Sequence, residues 1–391
     1  MLNINDFSRF SVVDTPFYYY DMPLFRRTLE SLSELAARYD VKVHYAVKAN
    51  SEERILKMIS GTGFGADAVS ANEVLRAVEC GFEPSEIMFA GVGKTDREIR
   101  TALEAGIGCF NVESLPEMDA IDAVAGSMGV VAKVAFRINP DIDPHTHKYI
   151  TTGLEENKFG ISRFDFDAAI GKVRGCRNLE FTGLQFHIGS QITEVGSVFG
   201  TESKCAREIV DYFESRGMNI AHVDFGGGLG VDYEDPDTNP VPEFETWLKA
   251  LRTYFPAGCG YELHIEPGRS LVAQCASLVT SLVYVKESRT KTFLITDAGM
   301  NDLIRPALYG AYHKVENVTA AFLRNDVKED HVYDVVGPVC ESSDVWGEER
   351  KLPESFRGDL LAIRTAGAYG QTMASRYNLR DLAPAVYSDE L

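Results

Sequence analysis

Three short stretches of the 391-residue chain carry residue types that could do covalent chemistry on a ligand. Lys48 ends an apolar run, and a lysine at the end of a buried strand can be partly desolvated, which makes its neutral amine a nucleophile. A run of glycines, 226–228, lets backbone N–H groups approach an anion closely. Glu266, three residues before Arg269, adds a carboxylate with a fixed cation nearby. We therefore expect a Schiff-base lysine beside an anion site.

His187 and Ser190 extend this set, because they follow another apolar run. The combination predicts pyridoxal phosphate, bound through Lys48, with its phosphate on the glycine run and Ser190. His187 would stack on the ring, and Glu266 would hold the pyridine nitrogen protonated. A protonated ring is a strong electron sink, which carbanion chemistry at an amino-acid Cα requires.

The elements that must position these residues follow a regular rhythm. Apolar runs begin at residues 43, 65, 87, 109 and 131, each 22 residues after the last, with helix-like stretches between them. Three further runs cover 182–186, 221–225 and 261–265. Eight strands alternating with helices predict an α/β fold, a (β/α)8 TIM barrel.

A barrel of this kind holds its active site at the carboxyl ends of the strands, with phosphate commonly bound after strands seven and eight. Lys48 ends the first predicted strand, His187 the sixth, the glycine run the seventh and Glu266 the eighth. The candidate residues should therefore converge on one rim.

The sequence pattern changes near residue 276, after which strand-like runs are more frequent than helical ones. We predict a barrel domain over 22–275 and a second, mainly antiparallel β domain over 276–391. Residues 1–21 should join the second domain, with Phe17–Tyr20 as an added strand.

Composition limits the partners. The formal net charge is −19 and no basic cluster stands out, which disfavours nucleic acid and anionic membranes. The chain shows neither a signal-peptide pattern nor an apolar run of transmembrane length. Its seven cysteines include no Cys-x-x-Cys pair, which is typical of a reducing cytoplasm. His145 and His147 form a His-x-His pair, but their loop position disfavours a metal site.

Several motifs resemble the fold-type III, alanine-racemase-type decarboxylases that use pyridoxal phosphate. The resemblance covers nearly the whole chain and rests on Ala46-Val47-Lys48-Ala49-Asn50, His187-Ile188-Gly189-Ser190-Gln191, Gly226-Gly227-Gly228, Glu266-Pro267-Gly268-Arg269, Cys340-Glu341 and Ala368-Tyr369-Gly370. Within that family, residues 147–154 running into 157–161, together with 337–344, resemble the members that act on diaminopimelate.

The resemblance implies decarboxylation of meso-2,6-diaminopimelate to L-lysine and CO₂, the last step of lysine biosynthesis. It implies that the cofactor is held by Lys48, Asp67, His187, Ser190, Gly226, Gly227, Gly228, Glu266, Pro267, Gly268, Arg269 and Tyr369. The implied substrate-binding residues are Arg269, Arg305, Tyr309, Glu341 and Tyr369, and Cys340 is the implied proton donor. It also implies a cytoplasmic homodimer whose neighbouring chain supplies Cys340 and Glu341 to each site.

The substrate's chemistry agrees with these assignments. The distal end of diaminopimelate carries a carboxylate and an ammonium, for which arginine and glutamate are suitable partners. Three alternatives stay open: a decarboxylase of another basic amino acid such as ornithine or arginine, a barrel racemase, and a pyridoxal phosphate carrier without enzymatic activity. A racemase would need a second base opposite the lysine, where this chain offers Cys340.

Overall fold

The chain forms two compact units. The computed structural model describes residues 4–10, 12–140, 158–324 and 328–391. The barrel unit comprises 29–230 and 243–268, and the β unit comprises 1–28, 231–242 and 269–391. The chain therefore passes from one unit to the other near residues 28 and 268, and the loop 231–242 belongs to the β unit. The predicted domain limits at 22 and 275 stay a prediction.

The barrel predicted from the 22-residue rhythm is confirmed. Strand β1, Phe17–Tyr20, belongs to the β unit, and the next eight strands close into a parallel barrel in sequence order. Pairing of β9 with β2, Val41 opposite Leu263, completes the closure. The barrel strands are β2 Val41–Ala46, β3 Gly65–Ala68, β4 Ile87–Phe89, β5 Cys109–Val112, β6 Ala132–Ile138, β7 Leu179–Phe186, β8 His222–Asp224 and β9 Glu262–Ile265.

Helices alternate with these strands as predicted, and short polar side chains cap their amino termini. Ser70 accepts the backbone N–H of Glu73, and Thr95 forms a capping box with Glu98. The α-helices are α1 Ile4–Phe10, α2 Met22–Tyr39, α3 Glu53–Ser60, α4 Ala71–Glu79, α5 Asp96–Ala105, α6 Leu115–Met128, α7 Phe166–Gly175, α8 Val195–Ser215, α9 Phe244–Arg252, α10 Arg269–Val272, α11 Arg305–Tyr309 and α12 Val318–Leu323. Single 3₁₀ turns cover Val47–Ala49, Pro84–Glu86, Arg163–Asp165, Gln371–Met373 and Tyr377–Leu379.

The β unit is a mainly antiparallel sheet, as predicted. Its long strand β10 pairs antiparallel with three neighbours, and the predicted N-terminal strand is one of them, with Phe17 opposite Val279. Two pairings, β11 with β13 and β1 with β16, are parallel. The strands after β9 are β10 Ala276–Glu287, β11 Thr292–Thr296, β12 Val315–Asn317, β13 His331–Val336, β14 Val345–Leu352, β15 Leu360–Ile363 and β16 Ala385–Tyr387.

Polar side chains occupy the inside of the barrel. Asn111 on β5 and Gln185 on β7 both contact Glu266 just after β9, and contacts between non-neighbouring strands of a closed barrel cross its interior. His222 and His264 are buried, and their rings stack with centroids 4.8 Å apart. The barrel interior thus contains ionisable and polar groups whose protonation depends on burial and on their neighbours.

Two sequence expectations fall outside the described residues. The 147–154 stretch and the His145 and His147 pair lie in the segment 141–157, which is not described. Within the described ranges, we find no helix that combines the length and the apolar character needed to cross a membrane.

Candidate active site

Lys48 stands on a 3₁₀ turn rather than at the end of a strand. Strand β2 ends at Ala46, and the turn over Val47–Ala49 closes when the backbone N–H of Asn50 donates to the carbonyl of Val47. The expected desolvated setting is corrected, because the Lys48 side chain is 37% exposed and its Nζ lies 2.6 Å from Oδ2 of buried Asp67. Asp67 on β3 is therefore an ionic partner of Lys48.

The end of β9 packs directly against this turn. The backbone N–H of Ala46 donates to the carbonyl of Pro267 at 3.0 Å. A Cβ on Gly268 would stand 3.1 Å from Cβ of Ala46 and 3.0 Å from Cβ of Ala49, on either side of the lysine. The motif that contains Glu266 thus lies beside the turn that carries Lys48.

The glycine run is wedged between the ends of β7 and β9. Gly226 has φ +63°, and a Cβ there would overlap the carbonyl oxygen of Phe186. A Cβ on Gly227 would overlap the carbonyl oxygen of Glu266, and one on Gly228 would stand 2.7 Å from that of Gly189. The ends of β7, β8, β9 and β2 therefore form one continuous rim, which confirms that the predicted positions share one face of the barrel.

Two N–H groups of the run serve the barrel itself. Gly226 donates to Oδ1 of Asp224 at 2.8 Å, and Gly227 donates to Nδ1 of His187 at 3.2 Å. The expectation that the whole run points its N–H groups at a phosphate is revised accordingly. Because Nδ1 of His187 accepts a hydrogen bond, the ring carries its proton on Nε2. Burial, followed by the charges of Arg137 and Lys48, lowers the pKa of His187 well below its usual value, so the ring is neutral.

Glu266 is a buried acid held by two amides. Its side chain is 5% exposed; Nδ2 of Asn111 lies 3.3 Å from Oε1, and Nε2 of Gln185 lies 3.0 Å from Oε2. Burial, then the nearby acids Asp224 and Asp67, raises its pKa well above the usual value. A carboxylate in this setting ionises readily only when a cation comes to it, and a protonated pyridine nitrogen is such a cation.

The β unit holds four of the residues implied for substrate binding in one cluster. Arg269 and Arg305 both donate from Nη1 to the phenol oxygen of Tyr233, at 2.6 Å and 2.7 Å. The ring of Tyr369 lies 4.9 Å from Cζ of Arg269. Tyr309 ends α11, the helix that begins at Arg305, and its charge interaction with Arg269 contributes to the raised pKa of that arginine.

Arg305 has an unusual environment for a buried cation. It is 6% exposed, and its other hydrogen bond is to Nε2 of His313 at 3.0 Å. Burial lowers the pKa of Arg305. Arg364, equally buried, instead contacts Asp237 at 2.7 Å and Glu316 at 2.5 Å; burial lowers its pKa, but these carboxylates outweigh that effect and raise it. Arg364 is paired within the protein, whereas Arg305 contacts neutral groups among the described residues.

Cys340 and Glu341 lie on the surface of the β unit. All seven cysteines fall within the described ranges, and Cys340 is the one that is exposed. Its backbone N–H donates to Oδ1 of Asn378 at 3.1 Å, and Glu341 accepts the hydroxyl of Tyr377 at 2.6 Å. An exposed thiol beside an exposed acid is accessible to a neighbouring chain. The site shared between two chains, which the resemblance implies, is therefore a proposal that we take up below.

Sequence reasoning missed several residues of the site. Asn111, Gln185 and Asp224 are polar residues flanked by apolar ones in barrel strands, a pattern that could have indicated them. Tyr233 lies in a loop and His313 follows a short helix, and neither position carries a sequence signal.

The barrel rim fits pyridoxal phosphate. A buried acid with a raised pKa suits a cation, a neutral imidazole offers a flat face, and the glycines let the strand ends approach one another closely at the rim. Lys48, Asp67, His187, Glu266 and Gly268 are the residues that could hold it, with Ser190 in the loop beside the glycine run.

Fold and site together define a barrel enzyme class that works on amino acids through an aldehyde cofactor, and the comparisons agree. Residues 24–273 match the family model described as "Pyridoxal-dependent decarboxylase, pyridoxal binding domain". The chain belongs to this family of pyridoxal-dependent decarboxylases.

Relatives within the family narrow the comparison. The chain is 47% identical to a diaminopimelate decarboxylase of Bacteroides thetaiotaomicron, with both chains covered completely. It is 42% identical to one of Vibrio cholerae over 96% of this chain and 88% of the relative. A crystal structure of diaminopimelate decarboxylase from Helicobacter pylori complexed with L-lysine matches with a TM-score of 0.90 and 36% identity, over 98% of this chain and 94% of that one.

Proposed function

We propose that this protein decarboxylates meso-2,6-diaminopimelate to L-lysine and CO₂, using pyridoxal phosphate. The observation that carries the substrate assignment is Arg305, a buried guanidinium whose direct contacts in the described chain are neutral. Such a cation suits the distal carboxylate of diaminopimelate, which ornithine and other simple diamino acids lack. The full-length similarity to diaminopimelate decarboxylases supports the same substrate.

The barrel residues provide the cofactor site. When bound, pyridoxal phosphate supplies the electron sink that lets a carboxylate leave an amino-acid Cα. Lys48 would hold it through its amine, and Asp67, 2.6 Å away, fixes the position of Nζ. Glu266 would hold a proton on the pyridine nitrogen, and the two amides on its oxygens fix its direction. His187 would stack on the ring, and Ser190, Gly228 and Gly268 would hold the phosphate.

The β-unit residues recognise the substrate and complete the reaction. Arg305 and Arg269 take the distal carboxylate, Tyr309 and Tyr369 line the same cluster, and Glu341 takes the distal ammonium. Cys340 donates the proton that Cα needs once CO₂ has left. Because Cys340 and Glu341 are exposed, we propose that they act in a homodimer, each chain supplying them to its partner.

The direct test is an assay of the purified protein with added pyridoxal phosphate. Incubation with meso-diaminopimelate should release CO₂ and form an equal amount of L-lysine, while L-ornithine and L-arginine should give much less CO₂. Release of CO₂ from ornithine or arginine alone would refute the substrate assignment. Interconversion of amino-acid enantiomers without CO₂ would indicate a racemase, and bound cofactor without turnover would indicate a carrier.

A second test addresses the proton donor. Cys340→Ala should keep bound cofactor but lose at least about a hundredfold in turnover, because a general acid contributes roughly 10²–10⁴-fold. Cys259→Ala, at a partly exposed cysteine, is the matched control and should behave as wild type. Equal turnover of the two variants would show that another group donates the proton.

A further inference from the structure

A buried residue pair of the β unit, Tyr233 and His313, contacts the arginine cluster but has no place in the reaction described above. Tyr233 is 9% exposed and His313 is fully buried. Their rings meet edge to face with centroids 5.1 Å apart. Neither residue lies in a helix or a strand. We therefore infer their role from their contacts with the arginines.

Tyr233 joins two cations at one oxygen. The phenol oxygen accepts an N–H from Arg269 at 2.6 Å and one from Arg305 at 2.7 Å, which occupies both of its lone pairs. Guanidinium groups repel one another, so a shared acceptor is needed to keep them together at a single point. The ring of Tyr233 also lies 4.8 Å from Cζ of Arg305, a further favourable contact for the cation.

His313 fixes the same guanidinium from a second direction. Its Nδ1 lies 2.8 Å from the backbone carbonyl oxygen of Arg364, which can only accept, so Nδ1 carries the proton. Nε2 is then an acceptor for Nη1 of Arg305, 3.0 Å away. Burial, then the charge of Arg305, lowers the pKa of His313 to about 3, so the ring stays neutral at ordinary pH.

The two contacts leave a defined part of Arg305 for a ligand. Both use Nη1, whose two N–H groups are thereby satisfied by Tyr233 and His313. Among the described residues, Nη2 and Nε have no hydrogen-bond partner, and this pair of nitrogens forms a fork that matches a carboxylate. Neutral acceptors hold the side chain without cancelling its charge, in contrast to the carboxylates on Arg364.

We propose that Tyr233 and His313 are positioning residues that set the selectivity for ligands with a distal carboxylate, by holding Arg305 with neutral acceptors and leaving one edge of its guanidinium for the ligand. This inference rests on the proposed function, because it assigns the distal carboxylate of the substrate to Arg305. It predicts a defect confined to carboxylate recognition.

Two ligands that differ by one carboxylate isolate that defect. L-lysine retains the distal carboxylate, and cadaverine is the same diamine without it. Their dissociation constants are measured by titration calorimetry with the protein loaded with pyridoxal phosphate, which requires no turnover. Tyr233→Phe should weaken L-lysine about 10- to 100-fold, as expected for hydrogen bonds to a charged group, and should leave cadaverine within about twofold.

Two substitutions of His313 test whether its role is to accept a hydrogen bond. His313→Leu removes the acceptor and should weaken L-lysine about tenfold, whereas His313→Gln can place an amide oxygen near Nε2 and should recover part of that loss. Tyr284→Phe and His331→Phe, at exposed positions of the β unit, are the matched controls and should match wild type. Thermal melting and the cofactor's visible spectrum, recorded for each variant, establish that it is folded and loaded.

The outcomes are separable. Loss of L-lysine affinity with cadaverine unchanged supports the proposal. Equal weakening of both ligands, or unchanged L-lysine binding in folded Tyr233→Phe and His313→Leu proteins, overturns it, as does a wild-type protein that binds both ligands equally. Failure of the proposed function has a different signature, namely no CO₂ from meso-diaminopimelate with the wild-type protein.

Discussion

Glu266 in the barrel unit and Arg305 in the β unit are an acid and a base that are both buried. They are 5% and 6% exposed. Glu266 contacts two amides and the buried acid Asp224, and Arg305 contacts a phenol and an imidazole. Arg137, also buried, is instead paired with a carboxylate, that of Glu113 at 2.7 Å. Burial raises the pKa of Glu266 and lowers that of Arg305, so it disfavours the charged form of each, and a ligand of opposite charge would favour that form. We therefore expect Glu266 in the barrel unit to bind a cationic group of a ligand and Arg305 in the β unit to bind an anionic one.

The largest expected effect comes from the barrel's covalent residue. Lys48→Ala should lose turnover by several orders of magnitude, since removing a covalent catalyst disables the whole set of groups that act with it. It should also lose the visible absorption of a cofactor joined to lysine. Lys42→Ala, on the strand β2 that precedes the Lys48 turn and 44% exposed, is the control. An unchanged spectrum in Lys48→Ala would place the covalent residue elsewhere.

Glu266→Gln should lower kcat about 10²- to 10³-fold, the usual cost of removing one preorganised electrostatic partner. The amide keeps the shape but cannot balance a cation, so cofactor should still bind. Glu262→Gln, at an exposed acid on the same strand, should leave kcat unchanged. Full kcat in Glu266→Gln would show that the reaction does not need a carboxylate at this position of the barrel.

Arg305 and Arg364 provide the sharpest contrast within one unit. Arg305→Gln should weaken L-lysine about 10- to 100-fold with little loss of stability, because no carboxylate is left unpaired. Arg364→Gln should spare L-lysine binding but cost about 1–3 kcal/mol in the free energy of unfolding, a range that allows for the partial exposure of Asp237 and Glu316. Calorimetry and urea unfolding measure the two quantities. Equal stability losses would contradict the distinction between ligand and structural arginines.

Much of this arrangement was predictable because it follows from periodicity. The alternation of eight apolar runs with helical stretches fixed neither strand ends nor side-chain partners. It still placed Lys48, the glycine run and Glu266 on one rim, since parallel barrel strands all end on the same face. Strand β14, Val345–Leu352, is hard to predict because its charged, exposed residues obscure the alternation expected of a strand. Short strands such as β12 and β16 carry too few residues for any pattern.

The partners of the charged groups could not be predicted. Lys48 was expected to be desolvated, but Asp67 lies 19 residues away in sequence and reaches it only because β3 neighbours β2. The sequence around Arg305 gives no sign of Tyr233 and His313, the two residues that contact its guanidinium. Such contacts depend on tertiary packing between segments whose own sequences carry no signal.

The smallest effect concerns buried histidines of the barrel, which test whether its interior disfavours charge in the absence of a ligand. Burial lowers the pKa of His264 to about 3, even with Glu262 at 3.5 Å, against about 6.5 in an unfolded chain. Between pH 6.5 and 4 the unfolded state therefore binds a proton that the native state does not, so stability falls with falling pH by about 1.4 kcal/mol per unit for this group.

His264→Phe should remove that contribution, which reduces the slope of unfolding free energy against pH in this window and leaves it unchanged above pH 7. Urea unfolding at several pH values measures the slope. His331→Phe, at a histidine that is 47% exposed, should keep the wild-type slope. An unchanged slope in His264→Phe would mean that the histidine is charged in the native barrel.

The central claim is that a barrel cofactor site and a carboxylate-reading arginine act on one substrate. It is tested most directly by the rate of CO₂ release from meso-diaminopimelate and from L-ornithine, measured side by side for wild type and Arg305→Gln. We predict a strong wild-type preference for meso-diaminopimelate that largely disappears in the variant. A wild-type preference for ornithine, or a preference that survives the loss of Arg305, would contradict the account.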